Sequence, residues 1–297
     1  MSSTVLFDAP GPRGRVRNLL IGVIGVVVLV GLAAALVVAL RSELLDPQAW
    51  IRYLQPITWT AYVLPGLLAT LQAAVISIVT ASILGLLLGI GRLSSVRPVR
   101  WACTVLVEFF RAVPVLMMMI FFYYVFLYGQ VLSGYLLPLV SVILGLTFYN
   151  GAVIAELIRS GVRGLPKGQR EAGAALGLSN TQTMFSILLP QAITAMLPSL
   201  LSQLVVVLKD TALGYIVTYS DLLRSLQTLA STSGILVALV VAAIIYIAIN
   251  YSLTSLAGLI ERRIRLRRGI TPVAAGAVPI PVAAGSAATE EVDAADS

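Results

Sequence analysis

The chain has 297 residues, of which 59% are hydrophobic and only 11% are charged, so a soluble fold could hardly bury its apolar surface. A single cysteine excludes an intrachain disulfide, and the absence of histidine argues against most catalytic metal sites and against histidine-based catalysis. No GxxxxGK[ST] phosphate loop is present, and the net charge of +7 indicates orientation in a membrane rather than binding to nucleic acid.

Six apolar segments meet or approach the length of about 20 residues that a helix needs to cross a bilayer. In chain order they cover residues 19–40, 63–90, 105–127, 137–158, 187–208 and 235–260, and the third is interrupted by Arg111 and Pro114. The predicted fold class is therefore an all-α integral membrane protein with six transmembrane helices. The first segment is about twice as long as the usual core of a signal peptide, so we expect a retained anchor.

The basic residues fall mainly on one side of these segments. Fifteen lysines and arginines precede the first segment, follow the sixth, or lie in the second–third and fourth–fifth loops. The opposite side holds only Arg41, Arg52, Lys209 and Arg224. Because Lys and Arg collect in cytoplasmic loops, both termini are predicted to be cytoplasmic. The Ala/Pro/Gly-rich tail after Gly269 has no helical or strand period, and we predict it to be disordered.

The loop between the fourth and fifth segments carries the sequence EAGAALGLSNTQTMFSILLP, residues 171–190. Its pattern predicts a first short helix that begins near Pro166 and stops at Gly177, a natural left-handed position. Ser179 and Gln182 have the spacing of a capping box, which predicts the start of a second helix. We expect the first helix to offer the carboxylate of Glu171 to a basic partner. We also expect it to expose small residues that allow close approach: Ala172, Gly173, Ala174 and Ala175.

This loop resembles the EAA loop of ABC-importer permeases. Glu171 and Ala172 are followed by glycine, isoleucine, leucine and proline at the family's spacing: Gly177, Ile187, Leu189 and Pro190. The resemblance implies a cytoplasmic coupling helix that docks in a cleft of an ATPase subunit. Its implied contact residues are Glu171, Ala172, Gly173, Ala174, Ala175, Gly177 and Leu178. Gly173 departs from the family pattern, which has Ala there, and we expect a cost of about 0.5–1 kcal/mol in helix stability. The alternative is an ordinary loop between two spans.

Four further segments resemble the polar amino acid branch of type I importers, and glutamate- or glutamine-type permeases look closest. They are GLLATLQAAVISIVTASILGLLLGIGRL (66–93), VEFFRAVPVL (107–116), YNGAVIAELIRSGV (149–162) and LKDTALGYIV (208–217). The resemblance implies a transmembrane domain over residues 63–263. The remaining parts are a basic N-terminus (1–18), an added first helix with an outer loop (19–62) and the tail (264–297).

The resemblance implies a transport subunit that works by alternating access and does no covalent chemistry. Its implied partners are a pair of ABC ATPase subunits, a second permease chain that is identical or related, an extracytoplasmic substrate-binding protein and membrane lipid. No cofactor, metal or nucleic acid is expected. The alternatives are an importer of another small solute, an intramembrane enzyme and a non-transport membrane scaffold.

Ionisable residues within the apolar segments are functional candidates, because a charge at membrane depth is costly. Glu108 and Arg111 lie three residues apart and share a helix face. They form a structural pair, or Arg111 meets a substrate carboxylate by bidentate geometry. Glu156 is expected to pair with Arg159 or Arg163.

A second set of candidates lies at the outer end of the fifth segment. Lys209 and Thr211, with Asp210 between them, could contact an amino acid substrate, or Lys209 is a locally paired interfacial residue. Residues 215–227 predict a short amphipathic outer helix that could dock a substrate-binding protein. Three uncharged polar residues within the spans are expected to make interhelical hydrogen bonds: Asn150, Gln191 and Gln203.

Overall fold

The computed structural model describes residues 11–230 and 234–267, and the regular structure in these ranges is helical. The α-helices are α1 Pro12–Leu44, α2 Pro47–Leu54, α3 Pro56–Thr58, α4 Leu64–Arg92, α5 Arg97–Ala112, α6 Val115–Tyr128, α7 Leu136–Arg163, α8 Lys167–Ala175, α9 Asn180–Thr183, α10 Leu189–Asp210, α11 Leu222–Ala230 and α12 Ile235–Arg267. Two π-helical turns, Trp59–Val63 and Met184–Leu188, join α3 to α4 and α9 to α10. A 3₁₀ helix, Thr211–Val217, follows α10. Most of the predicted tail, residues 268–297, lies outside the described residues.

Within the described residues, five continuous helical segments are long and apolar enough to cross a membrane. They are Arg13–Ala35, Pro56–Arg92, Leu136–Arg163, Asn180–Val217 and Ile235–Arg263. A sixth crossing is present if α5 and α6 are counted together as one bent span. The all-α membrane fold predicted from the apolar segments is therefore confirmed.

The third predicted segment, residues 105–127, is divided between two helices. α5 and α6 meet at an angle of 99°, and the break lies at Val113 and Pro114. Val113 is extended, with φ −85° and ψ 125°. Proline has no backbone N–H to donate and disfavours a helical conformation at the preceding residue, so the chain turns here.

α4 and α7 form the most extensive helix pair of the molecule. The buried face of α4 carries small residues every four positions: Ala69, Ala73, Ser77, Ala81, Gly85 and Gly89. A Cβ atom at Gly85 would lie only 2.6 Å from the Cβ of Ile154 on α7. Small residues allow the backbones of membrane helices to approach closely, so this stripe sets the separation of α4 and α7.

α2 and α11 pack against the beginning of α12. They share one buried cluster that includes Ala49 and Tyr53 from α2, Leu222 and Leu226 from α11, and Val237 from α12. The apolar window of α1 has no buried residue, so its side chains make no part of this core. The described residues from Gly258 onward form the last turns of α12 and belong to a separate compact unit.

Candidate functional site

The loop between α7 and α10 folds into two short helices with a tight turn, and we call α8, α9 and this turn the α8–α9 hairpin. α8 ends where Gly177 takes a left-handed conformation with φ +72°. The N–H of Leu178 donates to the carbonyl of Gly173, and the N–H of Gly177 donates to the carbonyl of Ala174. These two bonds define a Schellman motif, which satisfies the last carbonyls of α8. The predicted helix stop at Gly177 is confirmed.

α9 begins with the predicted capping box. The N–H of Gln182 donates to Ser179 Oγ at 3.3 Å, and the N–H of Ser179 donates to Gln182 Oε1 at 2.9 Å. Because α9 continues through the π-helical turn into α10, the hairpin is attached directly to a membrane span. Gln191 Nε2 of α10 also donates to Gln169 Oε1 of α8 at 3.1 Å. This bond confirms the interhelical role predicted for Gln191.

Gly173 corrects one expectation about the hairpin. It is buried rather than exposed, because α8 packs this residue against Thr183 of α9. A Cβ at Gly173 would lie 2.8 Å from both Cγ2 and Oγ1 of Thr183. The glycine therefore serves contact between the two helices of the hairpin, and the cost of an alanine here would be steric.

The opposite face of α8 is open. Glu171 is exposed, and so are three small residues and the turn glycine: Ala172, Ala174, Ala175 and Gly177. Leu178 is half-buried. Leu176, which the sequence analysis did not single out, leaves 76% of its surface exposed at the tip of the hairpin. The hairpin thus presents a carboxylate, a patch of small side chains and one apolar side chain on its exposed face.

A network of ion pairs joins the ends of α4, α5 and α7. Arg92, which is only 6% exposed, donates from Nη2 to Glu108 Oε1 at 2.8 Å and from Nη1 to Glu156 Oε2 at 2.7 Å. Arg111 Nη1 lies farther away, at 3.8 Å from both Glu108 Oε2 and Glu156 Oε2. Arg159 donates from Nε to Glu156 Oε2 at 2.9 Å. One buried arginine therefore holds two carboxylates that come from different helices.

The network includes both predicted pairs and adds a member. Glu156 pairs with Arg159 as expected, whereas Arg163 is not among its partners. Glu108 and Arg111 do approach each other, but Glu108 has its shorter contact with Arg92. From the sequence, Arg92 was predicted only to be one of the basic residues of the second–third loop. Its position at the end of a long apolar helix could have predicted a buried ion pair, because arginine is buried mainly when it is paired.

The three candidates at the end of α10 are not arranged as one open site. Thr211 is fully buried, and its hydroxyl donates to the carbonyl of Leu208 at 2.7 Å. Lys209 is exposed and Asp210 is half-buried. A substrate could therefore reach Lys209 but not Thr211 in this conformation. Asn150 and Gln203 do make the predicted interhelical bond, since Gln203 Nε2 donates to Asn150 Oδ1 at 2.6 Å.

The amphipathic helix predicted over residues 215–227 is broken. The 3₁₀ helix ends at Val217, Thr218 has φ +61°, and α11 begins only at Leu222. Asp221 caps α11, because its Oδ1 accepts the N–H of Arg224. Its Oδ2 accepts the hydroxyl of Tyr246 on α12. Burial raises the pKa of Asp221 to about 6, although these hydrogen bonds oppose the shift. Residues 218–221 thus form a fixed junction beside α12.

These features match one protein family. The family model described as "Binding-protein-dependent transport system inner membrane component" matches residues 81–266, well over half of the chain. The chain belongs to this family, and it is a permease subunit of an ATP-binding-cassette importer for polar amino acids. It is a multi-pass protein of the cell membrane that works with ATPase and permease partners, and the ATPase partner hydrolyses the ATP.

Individual relatives are amino acid permeases. The glutamate transport system permease protein GluD of Corynebacterium glutamicum is 50% identical over 225 residues, 75% of this chain and 82% of that protein. The glutamate/aspartate import permease protein GltK of Escherichia coli O157:H7 is 32% identical over 214 residues, 68% of this chain and 93% of that protein. The probable glutamine ABC transporter permease protein GlnP of Bacillus subtilis (strain 168) is 36% identical over 213 residues, 70% of this chain and 94% of that protein.

Solved structures share the fold. A crystal structure of an amino acid ABC transporter with histidines superposes with a TM-score of 0.63 at 25% identity, covering 70% of this chain and 96% of that chain. An inward-facing structure of the MetNI methionine ABC transporter superposes with a TM-score of 0.58 at 18% identity, covering 71% of this chain and 98% of that chain. The second likeness concerns the fold alone.

Proposed function

We propose that this permease imports glutamate or glutamine and that the α8–α9 hairpin couples the transport pathway to its ATPase partner. The set of contacts within the hairpin is the observation that carries the coupling role. A coupling element must transmit a displacement without bending, and three contacts stiffen this one: the Gly173–Thr183 packing, the Schellman turn and the Gln169–Gln191 bond. Because α9 continues directly into α10, a displacement of the hairpin would be transmitted to a membrane span.

The exposed face of the hairpin defines the chemistry of the ATPase cleft. Glu171 requires a basic or hydrogen-bond-donating group opposite it. The small side chains of Ala172, Ala174 and Ala175 leave room for close approach, and Leu176 requires an apolar pocket. Gly177 and Leu178 hold the turn that orients this face. Two such hairpins, one from each permease chain, would engage the two ATPase subunits.

The substrate assignment rests on relatives. The names of three of them specify glutamate, glutamate with aspartate, or glutamine, and the first is identical at half of the aligned positions. Arg111 is the best candidate within the chain for meeting a substrate carboxylate. Its contacts of 3.8 Å are looser than those of Arg92, and 40% of its side-chain surface is exposed. Glu108 and Glu156 would then position Arg111. Lys209 and Asp210 would act at the outer end of the path.

The orientation follows from the distribution of basic residues, with both termini and the α8–α9 hairpin in the cytoplasm. α2 and α11 then lie on the outer side, where a substrate-binding protein delivers its ligand. Thiol labelling tests this in a Cys103→Ala background, with Gln48→Cys in the first turn of α2 and Ser95→Cys between α4 and α5. An impermeant reagent added outside should label the first variant only, and the reverse pattern would contradict the orientation.

Uptake by reconstituted vesicles tests the substrate. The permease, its ATPase and its binding protein should accumulate labelled glutamate inside when ATP is supplied to the ATPase side. Unlabelled glutamate and glutamine should compete, whereas arginine at the same concentration should not. ATP-dependent uptake that arginine competes and glutamate does not would refute the substrate while leaving the coupling intact.

A further inference from the structure

An arginine-rich cavity opens beside the ion-pair network, between α4, α5 and α7. Its volume is about 540 Å³, which is ample for a phosphate ester. Its charged lining consists of Arg92, Arg97, Arg100, Arg159 and Arg163. Trp101 also lines it. The transport and coupling roles proposed above use none of these five arginines, although Arg92 and Arg159 belong to the ion-pair network.

The positive charge of this cavity exceeds the negative charge around it. Arg92 and Arg159 are paired with carboxylates of the network. Within the described part of the chain, no carboxylate forms an ion pair with Arg97, Arg100 or Arg163. In addition, Nε of Arg92 is buried and has no hydrogen-bond partner. Clustered guanidinium groups repel one another, and an anion in the cavity would offset that repulsion.

The lengths of the surrounding helices are consistent with a cavity at the level of lipid headgroups. The continuous helix Pro56–Arg92 has 37 residues and α7 has 28. At a rise of 1.5 Å per residue they span about 55 Å and about 42 Å, which exceeds the hydrocarbon core of about 30 Å. Part of each helix must therefore lie beyond the core, and the cost of a charge at membrane depth favours the ends that carry Arg92 and Arg163.

The surface next to the arginines is apolar. Trp101 leaves 71% of its surface exposed, and Val99 and Val105 on the same helix are also exposed. Tryptophan is enriched at membrane interfaces, where its ring lies among headgroups and upper acyl chains. Basic pockets of this kind, between transmembrane helices and at headgroup depth, are suited to anionic lipid headgroups.

We infer that this cavity binds the phosphate of an anionic phospholipid, with the guanidinium groups of Arg97, Arg100 and Arg163 as its main ligands. Guanidinium groups match phosphate geometry through paired N–H donors. The acyl chains would lie along Val99 and Trp101. A soluble phosphate ester would use the same arginines but would gain nothing from this apolar surface, and the experiment separates the two sources.

The experiment measures lipid binding by the whole complex of permease and ATPase. The complex is placed in phosphatidylcholine nanodiscs with increasing phosphatidylglycerol, and the phosphatidylglycerol retained per permease is counted by native mass spectrometry. The test variant combines Arg97→Gln, Arg100→Gln and Arg163→Gln, which leaves the ion-pair network untouched. The matched control removes the same charge at three exposed positions that do not line the cavity: Arg17→Gln, Arg262→Gln and Arg263→Gln.

The test variant should bind phosphatidylglycerol at least tenfold more weakly than the wild type, and the control should stay within twofold. The single variant Arg97→Gln should weaken binding at least threefold. Because Arg97 is exposed, this variant should fold normally and therefore serves as a second test if the triple variant is misfolded. Equal losses in the test and control variants would show general charge attraction and overturn the site. Displacement of the lipid by millimolar glycerol 3-phosphate would overturn the lipid as its ligand.

Discussion

Gly173 of α8 lies so close to Thr183 of α9 that an added Cβ would be 2.8 Å from both Cγ2 and Oγ1 of the threonine. Contacts this short do not occur between a Cβ and its neighbours, so the two helices can take this spacing only with glycine at position 173. The family resemblance places alanine at this position, and the close contact with Thr183 accounts for the departure. The residue pair sets the thickness of the hairpin and hence the position of its exposed face.

The first prediction concerns this pair. Gly173→Ala should force α8 and α9 apart, at a cost of about 1–3 kcal/mol for overpacking, and should lower ATP-driven uptake several-fold. Adding Thr183→Ala removes both clashing atoms and should restore most of the uptake, while Thr183→Ala alone should change it little. Uptake by the reconstituted complex measures all three. If the double variant is as impaired as Gly173→Ala, the contact is not the cause.

The second prediction separates backbone conformation from packing. Nothing lies within 4 Å of a Cβ placed at Gly177 or Gly168, but only Gly177 has a positive φ. Gly177→Val should therefore cost at least the 1–2 kcal/mol or so of a left-handed L-residue and should reduce stimulated ATP hydrolysis. Gly168→Ala, within α8, is the control and should be neutral or slightly stabilising. Similar losses in both variants would mean that the left-handed conformation of Gly177 is not the cause.

The third prediction concerns the ion-pair network. Arg92→Leu removes the common partner of Glu108 and Glu156 and should lower stability by about 1–3 kcal/mol. This is less than the 3–5 kcal/mol or so of a fully buried pair, because those carboxylates keep 56% and 22% of their side-chain surface exposed. Thermal unfolding in detergent measures the loss. Adding Glu108→Gln and Glu156→Gln should recover part of it, and no recovery would rule out unpaired charge as the cause.

The fourth prediction is a pH dependence. The pKa of Asp221 is raised from 3.8 to about 6, mainly by burial, so the folded state holds this proton more tightly than the unfolded chain. Its contribution to stability should therefore fall as the pH rises from about 3.8 to about 6 and then level off. Asp221→Asn keeps an oxygen to accept the N–H of Arg224 and should flatten this slope in thermal unfolding measurements. Tyr246→Phe removes a hydrogen bond that opposes the shift, so the window should move to higher pH. An unchanged slope in Asp221→Asn would assign the dependence to another group.

The parts of the structure that depend on local chemistry were predictable from the sequence. Gly177 stops α8 and Ser179 caps α9 because the conformations they favour are decided within a few residues. The apolar segments predicted the spans for the same reason. The division of the third segment at Pro114 was only partly predictable. Proline predicts an interruption, but the 99° angle between α5 and α6 depends on packing.

The tertiary features were not predictable in this way. Arg92 contacts carboxylates 16 and 64 residues away along the chain, and no local pattern encodes such a partner. Gly173 was expected to face an ATPase, whereas its neighbour is Thr183 ten positions later. Thr211 was a candidate for substrate contact, but it is fully buried at the start of the 3₁₀ helix. For Arg92 and Gly173, the partner comes from another helix.

The claim that the α8–α9 hairpin couples transport to ATP hydrolysis is tested most directly by substitutions on its exposed face. Glu171→Lys places like charge against the proposed basic group of the ATPase, and Leu176→Ser removes the apolar tip. Neither residue supports the fold, so both variants should insert and bind the second permease normally. The measurement is glutamate-stimulated ATP hydrolysis by the reconstituted complex, recorded together with uptake. We expect at least a tenfold loss of both activities in Glu171→Lys and a smaller loss in Leu176→Ser, whereas wild-type hydrolysis and uptake in both variants would contradict the coupling role.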